Sequence, residues 1–250
     1  MRKELLFAYT AFFLMSIIAI TGAYAEEEAS MIIISKDKID VTGDGKKEII
    51  YVKGRQLERK TNFLNEVYLE VQDSHQNTYS IDLGSGYKPK LIYQDFNGDG
   101  TKDIFVKIST DKGGKVTNHF LYTLANFTVE NLTVPQSQTI NGEYQDNYQA
   151  FISVDETKKT YELDLTSQKN EFDQLGLYQN GKLMIPTELI VSPYLKLKPV
   201  KMNGEQYGLR GIQQVRGIDD QTIAYLKSTW VYKDKSWQFV NSWVEKKKQE

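Results

Sequence analysis

From Met31 onward, apolar, mostly β-branched or aromatic residues come in short runs cut by Gly, Asn and Asp pairs. That alternation predicts strands and tight turns; helical periodicity is scarce. Strands are predicted at 31–39, 48–53, 66–71 and 78–83, and again at 90–94, 104–108, 119–124 and 128–132, which makes two sets of four. Similar stretches begin at Asp40 and Asp95, 55 residues apart, each between an incoming strand and an outgoing apolar one, Ile49-Ile50-Tyr51-Val52 or Ile104-Phe105-Val106-Lys107-Ile108. A period of this size suggests a repeated supersecondary unit.

The second half keeps the rhythm less clearly. Residues 149–154 and 160–165 read as a hairpin around Asp155-Glu156-Thr157-Lys158, and 189–200, 207–215, 222–232 and 237–244 as a further group of strands. The expected fold is all-β and propeller-like, built from four-stranded blades, about four in number, at 26–245. A β-sandwich with long hairpins is the alternative. The polar stretch 135–146 reads as an irregular joint and 246–250 as a solvated tail.

Ahead of this pattern, Arg2 and Lys3 precede an apolar run over 5–20, and Ala23-Tyr24-Ala25 offers small residues for cleavage. Residues 1–25 therefore read as a cleaved export signal, with a retained anchor as the competing reading. The expected location is secreted, extracellular or associated with the cell envelope, without stable membrane insertion after cleavage. The 31 Lys plus Arg nearly balance 33 Asp plus Glu, so no basic field exists to attract nucleic acid. With no Cys there is no disulfide framework, thiol nucleophile, zinc-thiolate site or iron-sulfur cluster.

The strongest chemical signal is Asp95-Phe96-Asn97-Gly98-Asp99-Gly100-Thr101-Lys102-Asp103. A calcium ion needs six to eight oxygens, and alternate positions of a tight loop can converge on one point. Asp95, Asn97, Asp99, the carbonyl of Thr101 and Asp103 are the expected ligands, with Gly100 permitting the turn. The earlier copy, 40–48, offers Asp40, Thr42, Asp44, the Lys46 position and Glu48 in the same register. A hydroxyl at Thr42 is a poorer ligand than the Asn97 amide oxygen, so the second loop is expected to bind more tightly, with dissociation constants on the order of 0.1 to 1 mM. An EF-hand would need a Glu at place twelve, where this chain has Tyr51 and Val106 inside strand patterns. A polar hairpin turn without an ion is the simpler alternative.

These two loops resemble the calcium loops of FG-GAP and VCBS-type repeats, found in integrin alpha propellers and in exported bacterial proteins. The resemblance covers 40–52 and 95–108 and implies a propeller-like fold with calcium in the hairpin between the first two strands of a blade. The Phe-Gly and Gly-Ala-Pro elements that name the integrin repeat are not recognisable. A third candidate, 201–205, has Lys201 where the first acid belongs and is expected to hold no ion.

Other motifs carry less. His75 and His119 lack zinc-type spacing, Gly84-Ser85-Gly86 reads as a turn, and Lys112-Gly113-Gly114-Lys115 lacks phosphate-loop spacing. Trp230, Tyr232, Trp237, Phe239 and Trp243 read as a core face of a hairpin before they read as a stacking surface. The expectation is a secreted, non-catalytic calcium-binding protein with a structural or macromolecule-binding role at the cell exterior, its partner an extracellular protein or polysaccharide and no nucleic acid. A calcium-stabilised glycan-processing enzyme is the alternative; a pocket lined by paired acids away from the loops would favour it.

Overall fold

The computed structural model describes residues 31–56, 61–202, 204 and 206–247. The export signal expected at 1–25, part of the 201–205 stretch and the end of the expected tail lie outside the described residues. The described chain is all-β apart from short helical turns, and its strands form antiparallel meanders.

The first meander contains β1 (Met31–Ile39) and β2 (Glu48–Arg55); after the two-residue β3 (Phe63–Leu64) it continues with β4 (Glu66–Gln72) and β5 (Thr78–Asp82) in the order β1-β2-β4-β5. The second runs through β6 (Gly86–Gln94), β7 (Asp103–Ser109), β8 (Thr117–Thr123) and β9 (Glu130–Asn131), with β3 paired on its β6 edge. Strict alternation fixes the inward face of the first: Ile50 and Val52 on β2, and Val67, Leu69 and Val71 on β4, are buried while their neighbours are half-exposed. These five side chains share one core with Ile104, Val106, Ile108, Tyr122 and Leu124 of the second sheet, so the two sheets pack face to face.

β7 explains its own sequence. Its residues Ile104-Phe105-Val106 are all fully buried, which alternation on a one-sided sheet would forbid. Ile104 and Val106 face the first meander, and Phe105 points the other way. There it meets Phe96, Leu121 and Leu132 of its own half, and Leu197, Leu209 and Tyr232 from the C-terminal sheet. The second meander is thus a middle layer.

The second half begins with a three-stranded sheet, β10 (Ile140–Gln145), β11 (Gln149–Val154) and β12 (Lys159–Asp164), followed by helix α1 (Lys169–Gln174) and the small hairpin β13 (Tyr178–Gln179) and β14 (Lys182–Leu183). It ends with the long meander β15 (Ile190–Lys201), β16 (Tyr207–Arg216), β17 (Thr222–Lys233) and β18 (Ser236–Lys246). One end of this meander covers Phe105. Toward the other end Val215, Ile223 and Ala224 pack with Tyr144, Ile152, Leu165 and Phe172 of the three-stranded unit. The long sheet therefore straddles two cores. Where four similar groups were expected, the third is a three-stranded sheet with a helix, and 135–146 contains β10. That strand hides in Ile140-Asn141-Gly142-Glu143-Tyr144 because only alternate residues face the core and one of them is glycine, pressed against Leu189.

Candidate functional site

Both expected loops sit in the hairpin between the first two strands of their meander, 40–47 between β1 and β2 and 95–102 between β6 and β7. Their hydrogen bonds match position by position. Asp40 accepts the Gly43 and Gly45 amides at 2.8 and 3.0 Å; Asp95 accepts those of Gly98 and Gly100 at 2.6 and 3.0 Å. Asp44 takes the Lys46 amide and Asp99 the Thr101 amide, each at 2.7 Å. Glu48 receives the amides of Val41 and Thr42 at 2.8 and 3.2 Å, and Asp103 those of Phe96 and Asn97 at the same two distances. The turns require left-handed backbone at Gly43, Gly45, Gly98 and Gly100, all with φ between 79° and 86°, which only glycine adopts without strain.

The ninth-place acids are the unusual groups. Glu48 and Asp103 are fully buried, and each uses one oxygen for the two loop amides; Glu48 Oε1 has no further partner, while the Asp103 carboxyl also feels the Thr123 hydroxyl. Burying polar oxygens without compensation is costly. Burial also pushes the Asp103 carboxyl up to about 7, against the pull of the Phe96 amide. Asp44, by contrast, is held below the usual carboxylate range by the Lys46 amide and then the Ser74 hydroxyl, 2.8 Å away.

An uncompensated hard oxygen suits a hard cation, so the residues fit calcium in donor type. Among the described residues no three His, Cys, Asp or Glu side chains gather into a ready metal-holding group. The acids at places one and five are instead turned onto backbone amides, and in the second loop Asn97 Nδ2 donates to Asp99 at 2.9 Å.

Each loop is also tied to another part of the fold. In the first, Ser74 from the β4–β5 turn donates to Asp44, and the Asn126 amide donates to the Thr42 carbonyl at 3.0 Å. In the second, the Tyr207 amide donates to the Asp95 carbonyl at 2.8 Å, and Gln206 Nε2 bridges the carbonyls of Phe96 and Tyr232. The two loops, well separated in sequence, face each other: a Cβ on Gly43 would lie 2.9 Å from Thr101 Oγ1. Between them is a cleft of about 330 Å³ bordered by Asp40, Gly43, Thr101 and the lysines Lys38, Lys47 and Lys102. Sequence reasoning missed this juxtaposition and the roles of Ser74 and Gln206, for which no local signal exists.

The remaining candidates are dispersed. His75 packs edge-on against Phe127, and His119 lies at the β8–β15 contact, stacked on Phe105 with its Nε2 accepting the Leu197 amide at 3.2 Å. Trp230 and Tyr232 are core residues, while Trp243 is half-exposed beneath the Arg210 guanidinium. A separate cleft of about 430 Å³ on the outer face of β10 and β11 is lined by Glu143, Glu188, Phe151 and Ser153, with Glu143 and Glu188 paired across an isolated bridge. No helix among the described residues is long and apolar enough to cross a membrane.

Comparison with known proteins corrects the resemblance drawn from the loops. The family that matches is the YybI C-terminal domain, over residues 138–245, and no FG-GAP or VCBS repeat family is found. The physical reason is that nine-residue acidic turns recur wherever a hairpin holds an ion or needs left-handed glycines, so they carry chemistry and not ancestry. No solved structure matches the chain. The chain is similar to the uncharacterized protein YybI of Bacillus subtilis (strain 168), 26% identical over 227 residues and covering 86% of each chain.

Proposed function

We propose that the protein is exported and non-catalytic, that the loops 40–48 and 95–103 each take one calcium ion, and that the ions stiffen a surface offered to a macromolecule outside the cell, protein or polysaccharide. The observation that carries this reading is the matched pair of buried ninth-place acids, Glu48 and Asp103, of which Glu48 keeps one oxygen, Oε1, without a hydrogen bond. Rotating Asp40, Asp44, Asp95 and Asp99 off their amides toward the loop centre would bring three carboxylates to each ion. Because the loops anchor to Ser74, Asn126, Gln206 and Tyr207, an ion in each would tighten contacts between layers as well as within a hairpin. The stacked meanders are read as blade-like units in an open stack. The shared strand order and the common loop position support that reading; face-to-face packing equally suits a sandwich.

The experiment is a thermal melt with calcium and with chelator. At 10 mM calcium and a dissociation constant of about 1 mM, each site adds about 1.4 kcal/mol. A rise in melting temperature of several degrees is expected; identical melts in both conditions would remove the proposal. Asp95→Ala or Asp99→Ala should weaken the second site more than Thr42→Ala weakens the first.

One observation favours a second reading, a calcium-stabilised glycan-processing enzyme: the cleft holding Glu143 and Glu188, away from both loops. Both acids are exposed, so burial does not set one apart as the proton donor. Glycan hydrolysis abolished by Glu143→Gln or Glu188→Gln would establish it.

A further inference from the structure

The face of the middle layer that buries Phe105 changes character beyond its contact with β15. On that face the register sets Lys90 of β6 directly opposite Lys107 of β7, and Lys107 opposite His119 of β8. The C-terminal sheet ends there on its outermost strand, β15, whose Leu197 amide donates to His119 Nε2 at 3.2 Å. Leu197 turns into the core, which leaves Lys196 and Lys198 exposed on either side of it. Four lysines from three strands therefore gather at one seam. Burial, and then the charges of Lys198, Lys90 and Lys196, hold the half-buried Lys107 ammonium below its ordinary value. None of the four forms an ion pair among the described residues.

Like charges set opposite each other in a sheet lower stability. Lysine on an edge strand guards against unwanted pairing, and this accounts for Lys196 and Lys198. It does not account for Lys107, which lies on the central strand of the middle layer with Lys90 against it. The partner these ammonium groups lack within the fold is an anion from outside. Lysine offers point charges and no planar fork, so the seam reads repeated charge along a chain more than the shape of a single group. Backbone capture of a peptide strand is closed here: the Leu197 amide is spent on His119, and Pro199, two residues on along the same edge, has no N–H. Ser109 and Thr117 face each other beside Lys107 and His119, half-exposed, with hydroxyls that make no hydrogen bond among the described residues. Hydroxyls that both donate and accept, next to ammonium groups, suit a ligand carrying acid groups and hydroxyls together.

We propose that this seam, with Lys90, Lys107, Lys196 and Lys198 supplying charge and Ser109 and Thr117 supplying hydroxyls, is a binding surface for an acidic polysaccharide. The chain lies along the junction of the middle layer and the C-terminal sheet. The inference shares with the reading above only the exterior polysaccharide and needs no calcium, so either can fail alone.

The test is isothermal titration of the whole protein, in chelator, with polygalacturonate, with its neutral methyl ester and with polyglutamate. Polygalacturonate is expected to bind, to weaken as sodium chloride rises from about 50 to about 150 mM, and to bind more tightly than polyglutamate. The methyl ester is expected not to bind. Lys90→Gln/Lys107→Gln/Lys196→Gln/Lys198→Gln should weaken binding on the order of tenfold, the combined effect of four exposed ion pairs. Lys38→Gln/Lys47→Gln/Lys158→Gln/Lys159→Gln removes the same charge elsewhere and should bind as wild type. Equal loss in both variants, binding of the methyl ester, or no binding of polygalacturonate overturns the inference. Polyglutamate binding as tightly as polygalacturonate overturns the choice of a sugar chain. Single Lys107→Gln and Lys198→Gln variants give the same readout if the fourfold variant does not fold. Relief of repulsion should leave Lys107→Gln melting no lower than wild type; a clearly lower melt would assign the lysine to the fold and count against the proposal.

Discussion

His119 gives the contact between the middle layer and the C-terminal sheet a pH dependence that can be worked out in advance. Its ring stacks on Phe105 at 5.7 Å and its Nε2 accepts the Leu197 amide, which requires the neutral imidazole. Burial, and then the positive charge of Lys107, push it down to about 4 from an ordinary value near 6.5. Since the folded state disfavours the proton that the unfolded chain accepts, the stabilisation is fully present above pH 6.5 and is lost as pH falls toward 4. Linkage over these two values gives a loss of about 2 kcal/mol between pH 7 and pH 5. Asp103, raised to about 7, acts with the opposite sign in the same window, because the folded state takes up its proton first. The difference between wild type and His119→Gln isolates the histidine, since glutamine keeps an acceptor for the Leu197 amide but does not titrate. Urea unfolding at pH 7 and pH 5 is the assay. The stability advantage of wild type over the variant should shrink by about 2 kcal/mol at the lower pH; an advantage equal at both pH values would refute the reasoning.

Three further outcomes follow from packing. Phe105→Ala empties a position buried between two layers and should cost about 3 to 5 kcal/mol in urea unfolding. Gly211→Ala would place a Cβ 2.1 Å from Tyr194 Cε1, a ring whose hydroxyl is fixed by Trp230 Nε1 and the Gln136 carbonyl; a loss of about 1 to 3 kcal/mol is expected in the same assay. Gly100→Ala meets no atom within 4 Å but must hold φ at 86°, so it should cost about 1 to 2 kcal/mol from backbone strain alone and weaken calcium binding at the second loop in titration.

What the residues disclosed in advance follows local physics. β2, β4 and β7 were legible because Val, Ile and Tyr alternate or run continuously between turn residues, and the two loops because acids and glycines repeat in one register. β10 was not, since Asn141, Gly142 and Glu143 carry weak strand preference and the strand is secured by pairing with β11 and by Leu189. Nor could local pattern reveal that the long C-terminal sheet spans two cores, or that Gly43 sits against Thr101, because both depend on how separate sheets stack. The acidic turns led to the wrong family for a related reason: short turns of acids and glycines recur in unrelated hairpins, whereas the family model matches over 138–245 and the similarity to YybI runs over 86% of the chain.

The central claim is most directly tested by counting ions. Isothermal titration of the chelator-treated protein with calcium should show two sites per chain with millimolar or sub-millimolar dissociation constants, one lost in Asp95→Ala and both in Asp40→Ala/Asp95→Ala. No heat of binding, or an isotherm that the double variant leaves unchanged, would contradict it.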